Sequence, residues 1–449
     1  MSVSGMIGLA AMLFAAVPTQ VEWYYTGTLQ RAELRGNDTP SSKKFAVSLV
    51  AIKHNGEDAL VYLTDDRDDG AWAWPERFGT ITLPTVKASP MRIRHKFDGN
   101  LYPIPLRHPV FEFPQALAGG EGEWTEGRDR YSRLGGKKIG DRDCTILEVT
   151  LDRARRQTLT VETSTGMLVQ LQERLFLGRG DAFDLTLNLE DVKSLDNNTA
   201  ERTAQTAASL LALQSQLART GEARPADLSR EQVEATLAAL PELKKTSPGT
   251  FWARFVESIE RDLSQQSRRL DGVAGLAQKF VGQPATLTDL RLITGSTVTA
   301  KELAGHTTVL HFWDYNGDKL VEPYGQVGYL DFLHNRRSKL GAKIVGVAVD
   351  SRLGSPTETS AAVRSFRKLQ EFMNLSFPIA TDDGKLLAKF GDPRALGSTL
   401  PLWVVIGHDG VITHYHAGHY EIQPDEGLKS LDAAVVAALK RQLEAKRDQ

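Results

Sequence analysis

Sulfur is almost missing from this chain. Its 449 residues contain one cysteine, Cys144. A single thiol excludes an intramolecular disulfide framework and a cysteine-rich zinc site. It also removes thiol–disulfide exchange, which needs one thiolate to attack and a second sulfur to resolve the mixed disulfide. Net charge is scant as well: the formal value is −2, which gives nucleic acid or an anionic membrane no electrostatic hold. There is no Walker A loop, dinucleotide fingerprint or His-Glu-x-x-His helix, and no Gly-x-Ser-x-Gly elbow. No apolar run reaches the length of a transmembrane helix.

What is present is ordinary globular material, with 41% hydrophobic and 24% charged residues. The length suggests roughly two to four domains of about 100–200 residues. Gly5 to Val17 (GMIGLAAMLFAAV) is an apolar run of signal-peptide length, and polarity resumes at Pro18-Thr19-Gln20. No Lys or Arg precedes it and no clean A-x-A site ends it. The expectation is a signal peptide over residues 1–20 and export to the periplasm or cell envelope. The alternative is a hydrophobic N-terminal strand or helix in a cytosolic protein.

Residues 21–196 read as β-rich. Phe45–Ile52 and Ala59–Leu63 flank Asn55-Gly56, a strong hairpin signal. Cys144–Val149, Leu159–Glu162, Met167–Leu171 and Phe183–Leu187 read as successive strands, with Thr165-Gly166 as a turn. The expected product is a largely antiparallel sheet. Gly140-Asp141-Arg142-Asp143-Cys144 and Val161 to Met167 resemble a pattern in envelope proteins of the LolA/LolB and RseB type. That resemblance implies a curved half-barrel whose concave face holds an acyl chain or an apolar segment of a partner. A sheet with a filled core is the alternative. Cys144, in an alternating strand, is expected to behave as a small buried hydrophobe.

Residues 197–281 turn helical. Leu210, Leu213 and Leu217 keep helical spacing. Ser229-Arg230-Glu231-Gln232 is a capping box, with Leu228 and Val233 placed as its hydrophobic staple. Ser247-Pro248 is expected to open a further helix, on which Trp252, Phe255, Val256, Ile259 and Leu263 form an apolar stripe. The stripe reads as core, and the region as a spacer between domains.

Residues 282–449 carry the richest pattern. A hairpin over Leu290–Val298 leads to a second capping box at Thr299–Glu302. The buried strand Thr308–Trp313 then enters a turn, Asp314-Tyr315-Asn316-Gly317-Asp318-Lys319. Lys343–Val349 is a continuous apolar run of the kind found in a sheet covered on both faces. Ala361–Met373 is helical, Asp382–Gly391 holds a short helix, Leu400–Ile406 is a strand and Asp409-Gly410 a hairpin turn. In this order the motifs resemble the TlpA/ResA-type branch of thioredoxin-like proteins, the redoxin or AhpC/TSA-like group. The chain departs from that group at the chemistry. Anchored on Trp313, the two cysteine positions fall on Gly317 and Leu320; anchored on Pro323, they fall near Tyr315 and Asp318. Neither register supplies sulfur. The resemblance implies a thioredoxin fold, a cis peptide before Pro401, and a loop that pairs its backbone with an extended substrate.

The fold class expected is therefore α+β multidomain: a β-rich domain, a helical spacer and an α/β thioredoxin fold. The function expected is a redox-inactive binding or scaffolding module of the envelope, with no catalytic residue and no cofactor. Its protein or peptide partner would sit in a groove between Trp313, Asp314, Tyr315, Asn316, Gly317, Asp318 and Lys319 on one side and Leu400-Pro401 on the other. Asp314, Asp318 and Lys319 could do acid–base work, and a hydrated loop is the simpler reading. One alternative is a thiol–disulfide oxidoreductase or antioxidant enzyme. Another is a metal site at His414, His416 and His419, with His306 or His311 nearby; a solvated strand edge with histidines is the simpler reading there.

Overall fold

The computed structural model describes residues 20–32, 41–54, 57–66, 74–82, 91–98, 100–111, 113, 117, 122–151, 155–217, 228–315, 326–420 and 428–447. The Gly5–Val17 run and the Asn55-Gly56 turn lie outside these residues. The chain divides into two compact units, Met1–Ser264 and Gln265–Gln449.

The first unit is built on a ten-stranded antiparallel sheet. Its strands are β1 (Val21–Arg31), β2 (Ser42–His54), β3 (Glu57–Asp66) and β4 (Phe78–Thr82), then β7 (Gly122–Glu126), β8 (Asp129–Ile139), β9 (Arg142–Thr150), β10 (Arg156–Glu162), β11 (Leu168–Leu177) and β12 (Asp181–Ser194). Between β4 and β7, β5 (Arg92–Phe97) and β6 (Asn100–Pro105) pair with each other as a separate hairpin. The sheet order β4-β3-β2-β1-β12-β11-β10-β9-β8-β7 puts the first strand beside the last. Period-two alternation sends Trp23, Tyr25 and Leu29 of β1 inward. A Cβ on Gly27 would lie 2.1 Å from the Phe45 ring, so the glycine is what lets that ring cross the strand. Ile93 and Ile104 of the hairpin join the same core as Tyr25, Leu49, Leu171 and Leu185. Cys144 is 3% exposed, and burial pushes its thiol up. A Lys43–Asp66 ion pair is buried in this unit too.

Three helices follow: α1 (Asn197–Gln216), α2 (Arg230–Thr246) and α3 (Ala253–Phe280). The Ser229 capping box forms, with the Gln232 amide donating to Ser229 Oγ at 3.2 Å. The helix expected to open at Ser247-Pro248 opens instead at Ala253. Gly249, at φ +75°, interrupts any helix there. Trp252 and Phe255 meet the Phe78 ring edge-on, at 6.2 and 5.6 Å. The apolar stripe thus packs on β4 of the sheet.

The second unit is a thioredoxin-like α/β fold. A short hairpin, β13 (Leu290–Arg291) and β14 (Thr297–Val298), leads into α4 (Ala300–Leu303) and then β15 (Thr308–Asp314). The remaining elements are α5 (Val327–Arg337), β16 (Lys343–Val349), α6 (Thr359–Met373), β17 (Ile379–Asp382), α7 (Lys385–Lys389), β18 (Leu402–Ile406), β19 (Ile412–Ala417) and α8 (Lys429–Arg447). The sheet order is β17-β16-β15-β18-β19. β15, β16 and β17 are parallel, while β18 and β19 each run antiparallel to their neighbour. One face packs Val309, Trp313, Trp403 and Val405 against α5, α6 and α8. The other packs Leu310, Phe312, Val404 and Ile406 against α7, Tyr415 and the last turns of α3. Cover on both faces is why β15 and β16 read as unbroken apolar runs. The Asp382 carboxylate accepts from the amides of Leu386 and Leu387, each at 2.9 Å, and so starts α7.

Candidate functional site

The C-terminal end of β15 and the start of β18 come together in the second unit, because Phe312 pairs with Leu402. The peptide between Leu400 and Pro401 is cis, as the family resemblance implies. Thr399 is half-buried and Leu400 is 3% exposed. Neither makes a backbone hydrogen bond among the described residues. Pro401 O accepts from the Gly418 amide at 2.7 Å, which ties the end of β19 to the cis-proline.

Of the residues expected on the opposite wall, Trp313 has no exposed surface. Its side chain points into the core and meets Phe366 of α6 edge-on at 5.8 Å. This corrects the expectation that Trp313 borders a groove. Strand alternation puts it on the same face as Val309, under α5 and α6. Asp314 is exposed, and Tyr315 is half-buried against the same core. Asn316, Gly317, Asp318 and Lys319 lie outside the described residues. Arg394 donates to the Asp392 carboxylate at 3.0 Å; that bond pushes the guanidinium up, and the charge of Asp314 adds to the effect.

The histidines form part of an aromatic row. His311 of β15 lies opposite Trp403 of β18, and Trp403 lies opposite His416 of β19. The His311 ring stacks on Trp403 at 3.7 Å. Tyr420 stacks on His416 at 3.8 Å and meets Trp403 edge-on at 5.9 Å. His414 Nε2 is 2.5 Å from the Tyr420 hydroxyl. Burial pushes His414 down, and His416 down to about 4. Neutral imidazoles packed on aromatic rings stabilise a wall by stacking and area burial. Among the described residues no group of three His, Cys, Asp or Glu side chains is placed to hold a metal ion. His414, His416 and His419 are therefore not brought together as ligands. His414 and His416 are also more buried than a solvated strand edge would have them.

Sequence reasoning missed Gln326 and Tyr420. Gln326, which precedes α5, is 3% exposed. Its Nε2 donates to Tyr420 O at 2.8 Å, and its Oε1 accepts from Tyr420 N at 3.0 Å. The two residues are 94 positions apart in sequence, and no local pattern links them.

Residues 281–415 match the AhpC/TSA family. A secreted disulfide oxidoreductase of Mycobacterium tuberculosis, homologous to E. coli DsbE, is similar to this chain at 18% identity and a TM-score of 0.25; the alignment covers 33% of this chain and 94% of that one. A thiol:disulfide interchange protein of the thioredoxin family from Chlorobium tepidum TLS is 15% identical with a TM-score of 0.28, covering 35% and 97%. The bacterioferritin comigratory protein of Xanthomonas campestris is 22% identical with a TM-score of 0.25, covering 34% and 90%. Among curated proteins, none matches the chain. The segment 281–415 is thus an AhpC/TSA-type domain with a thioredoxin-like fold.

Proposed function

We propose that the second unit is a redox-inactive thioredoxin-like module that binds an extended segment of a partner protein in the cell envelope. The observation that carries this reading is backbone beside the cis-proline that is left unpaired among the described residues. Thr399 and Leu400 make no backbone hydrogen bond among the described residues, next to a turn that has no cysteine. Unpaired backbone next to a strand end supports β-strand addition, which needs no sulfur. Tyr315, half-buried at the end of β15, supplies an aromatic contact on the facing side.

The test pairs chemistry with binding. Insulin reduction and peroxide consumption by the purified protein stay at background. On an array of blocked extended peptides, Tyr315→Ala weakens binding about tenfold or more, the scale of an interface anchor. Turnover abolished by Cys144→Ser would return the protein to the thiol–disulfide oxidoreductase or antioxidant class. Tyr315→Ala binding equal to wild type would remove Tyr315 from the groove.

The first unit belongs to this reading as a β domain of the lipoprotein-sorting type over residues 21–196, joined through the helices of 197–281. An acyl or apolar ligand on its sheet would have to displace Ile93 and Ile104, which already lie in that core. The protein partner at the groove therefore ranks first.

Export is part of the proposal and rests on the apolar Gly5–Val17 run. No helix among the described residues is long and apolar enough to cross a membrane. Mass spectrometry of the native protein is expected to find its first residue between Ala16 and Val21. An intact Met1 in a soluble cytoplasmic fraction would contradict export.

A further inference from the structure

Gln326 occupies the position where a capping side chain would normally begin α5, yet its amide makes no capping bond. Its backbone is left-handed, at φ 61°, a conformation that non-glycine residues seldom adopt. The side chain is instead committed to Tyr420, donating to its carbonyl at 2.8 Å and accepting from its amide at 3.0 Å. A primary amide satisfied at both ends by the N–H and C=O of one residue copies a rung of a β-ladder. Sliding the chain by one residue would present the wrong groups, so the pair fixes register.

The held segment leads to the groove. Tyr420 is packed on His416 and Trp403 and bonded to His414. Two residues earlier, the Gly418 amide donates to Pro401 O at 2.7 Å. Contacts are thus continuous from the start of α5, through residues 418–420, to the cis-proline.

We infer that Gln326 is a positioning residue for the groove: its amide clamps the turn at 418–420 and thereby holds the Leu400-Pro401 wall in place against the start of α5. The inference rests on the groove reading above. A buried amide that merely satisfies itself would stabilise the fold without setting the wall, so the two roles differ in what loosens when the amide is removed.

The experiment is amide hydrogen exchange on the full chain, with melting temperature recorded alongside. Gln326→Leu removes both bonds at similar size. Gln326→Gly removes them while relieving the left-handed strain, which offsets the loss of stability. In both variants the Tyr420 and Gly418 amides are expected to exchange about tenfold faster, while amides of β16 keep their wild-type rates. Exchange at Gly418 within about twofold of wild type would overturn the inference, even if Tyr420 loosened, because the clamp would not reach the wall. Failure of both variants to fold would overturn it in favour of a core role.

A second readout uses blocked eight-residue extended peptides as the probe. Peptides that bind wild type are expected to lose about tenfold in affinity with Gln326→Leu. Unchanged affinity in a variant whose Gly418 has loosened would also overturn the positioning role. If wild type binds none of the peptides, the groove reading falls, and the exchange rates still decide whether the clamp exists.

Discussion

Trp313→Ala is expected to lose about 3–5 kcal/mol of stability, the cost of truncating a fully buried large aromatic. Trp313 is 0% exposed and lies on the β15 face that packs against α5, α6 and α8, so the cavity is surrounded by rigid elements. Partial collapse of the site is therefore limited, which places the loss in the upper part of the range. The indole offers its own internal control. Trp313 Nε1 finds no hydrogen-bond acceptor among the described residues. Burying a donor without a partner costs about 1–3 kcal/mol, a penalty that a phenylalanine in its place would not carry. Trp313→Phe removes that penalty while keeping most of the ring, and its net loss should be far smaller than that of alanine. Urea unfolding of the three proteins measures both differences. Equal losses for phenylalanine and alanine would mean that the indole N–H is satisfied and that the loss of its hydrogen bond, common to both variants, sets the cost. A loss below about 1 kcal/mol for alanine would place Trp313 outside the core.

The contrast between Trp313 and Tyr315 shows what the sequence can convey. Apolar runs at β15 and β16, the capping boxes at Ser229 and Thr299, and the Asp409-Gly410 turn are local signals, and each element forms where its signal lies. The proline before β18 is legible because the motifs around it keep their order in the chain. The side to which Trp313 points follows from strand alternation once Thr308–Asp314 is one strand, but an apolar run that stops at Trp313 ends the strand a residue early and hands the indole to the site. Ser247-Pro248 misleads for a different reason. Proline fits the first turn of a helix, but Gly249 at positive φ vetoes the helix until Ala253, and only the backbone reveals that angle. The Gln326–Tyr420 clamp has no signal at all. Glutamine is common on surfaces, and its burial depends on a partner 94 residues away. Likewise, the placement of β5–β6 on the core face of the sheet is a tertiary choice that periodicity within the hairpin does not encode.

Acid should weaken the second unit through His416. Its imidazole stacks on Tyr420, and burial pushes it down to about 4 from an ordinary value of 6.5. A base with a depressed folded value stays neutral in the folded chain while the unfolded chain takes up a proton. The unfolded state therefore binds more protons between pH 6.5 and 4, and stability rises with pH across that window. The stabilising contribution is fully present above pH 6.5 and is lost as pH falls toward 4. Between pH 7 and pH 5 the loss is about 2 kcal/mol, because each pH unit below 6.5 at which only the unfolded chain is protonated removes about 1.36 kcal/mol. Other groups titrate in the same range, so the comparison must be internal. His416→Phe keeps a flat ring against Tyr420 and carries no proton, so its melting temperature should fall less on acidification than that of wild type. For a unit of this size, about 2 kcal/mol corresponds to roughly 4–8 °C. Parallel melts at pH 7 and pH 5 read the difference directly. If the two proteins lose the same number of degrees, His416 is not protonated on unfolding in that range, and its ring must be solvated in the folded state. If the variant melts lower than wild type at pH 7 but shows the flatter pH dependence, the packing of phenylalanine is poorer while the proton linkage stands.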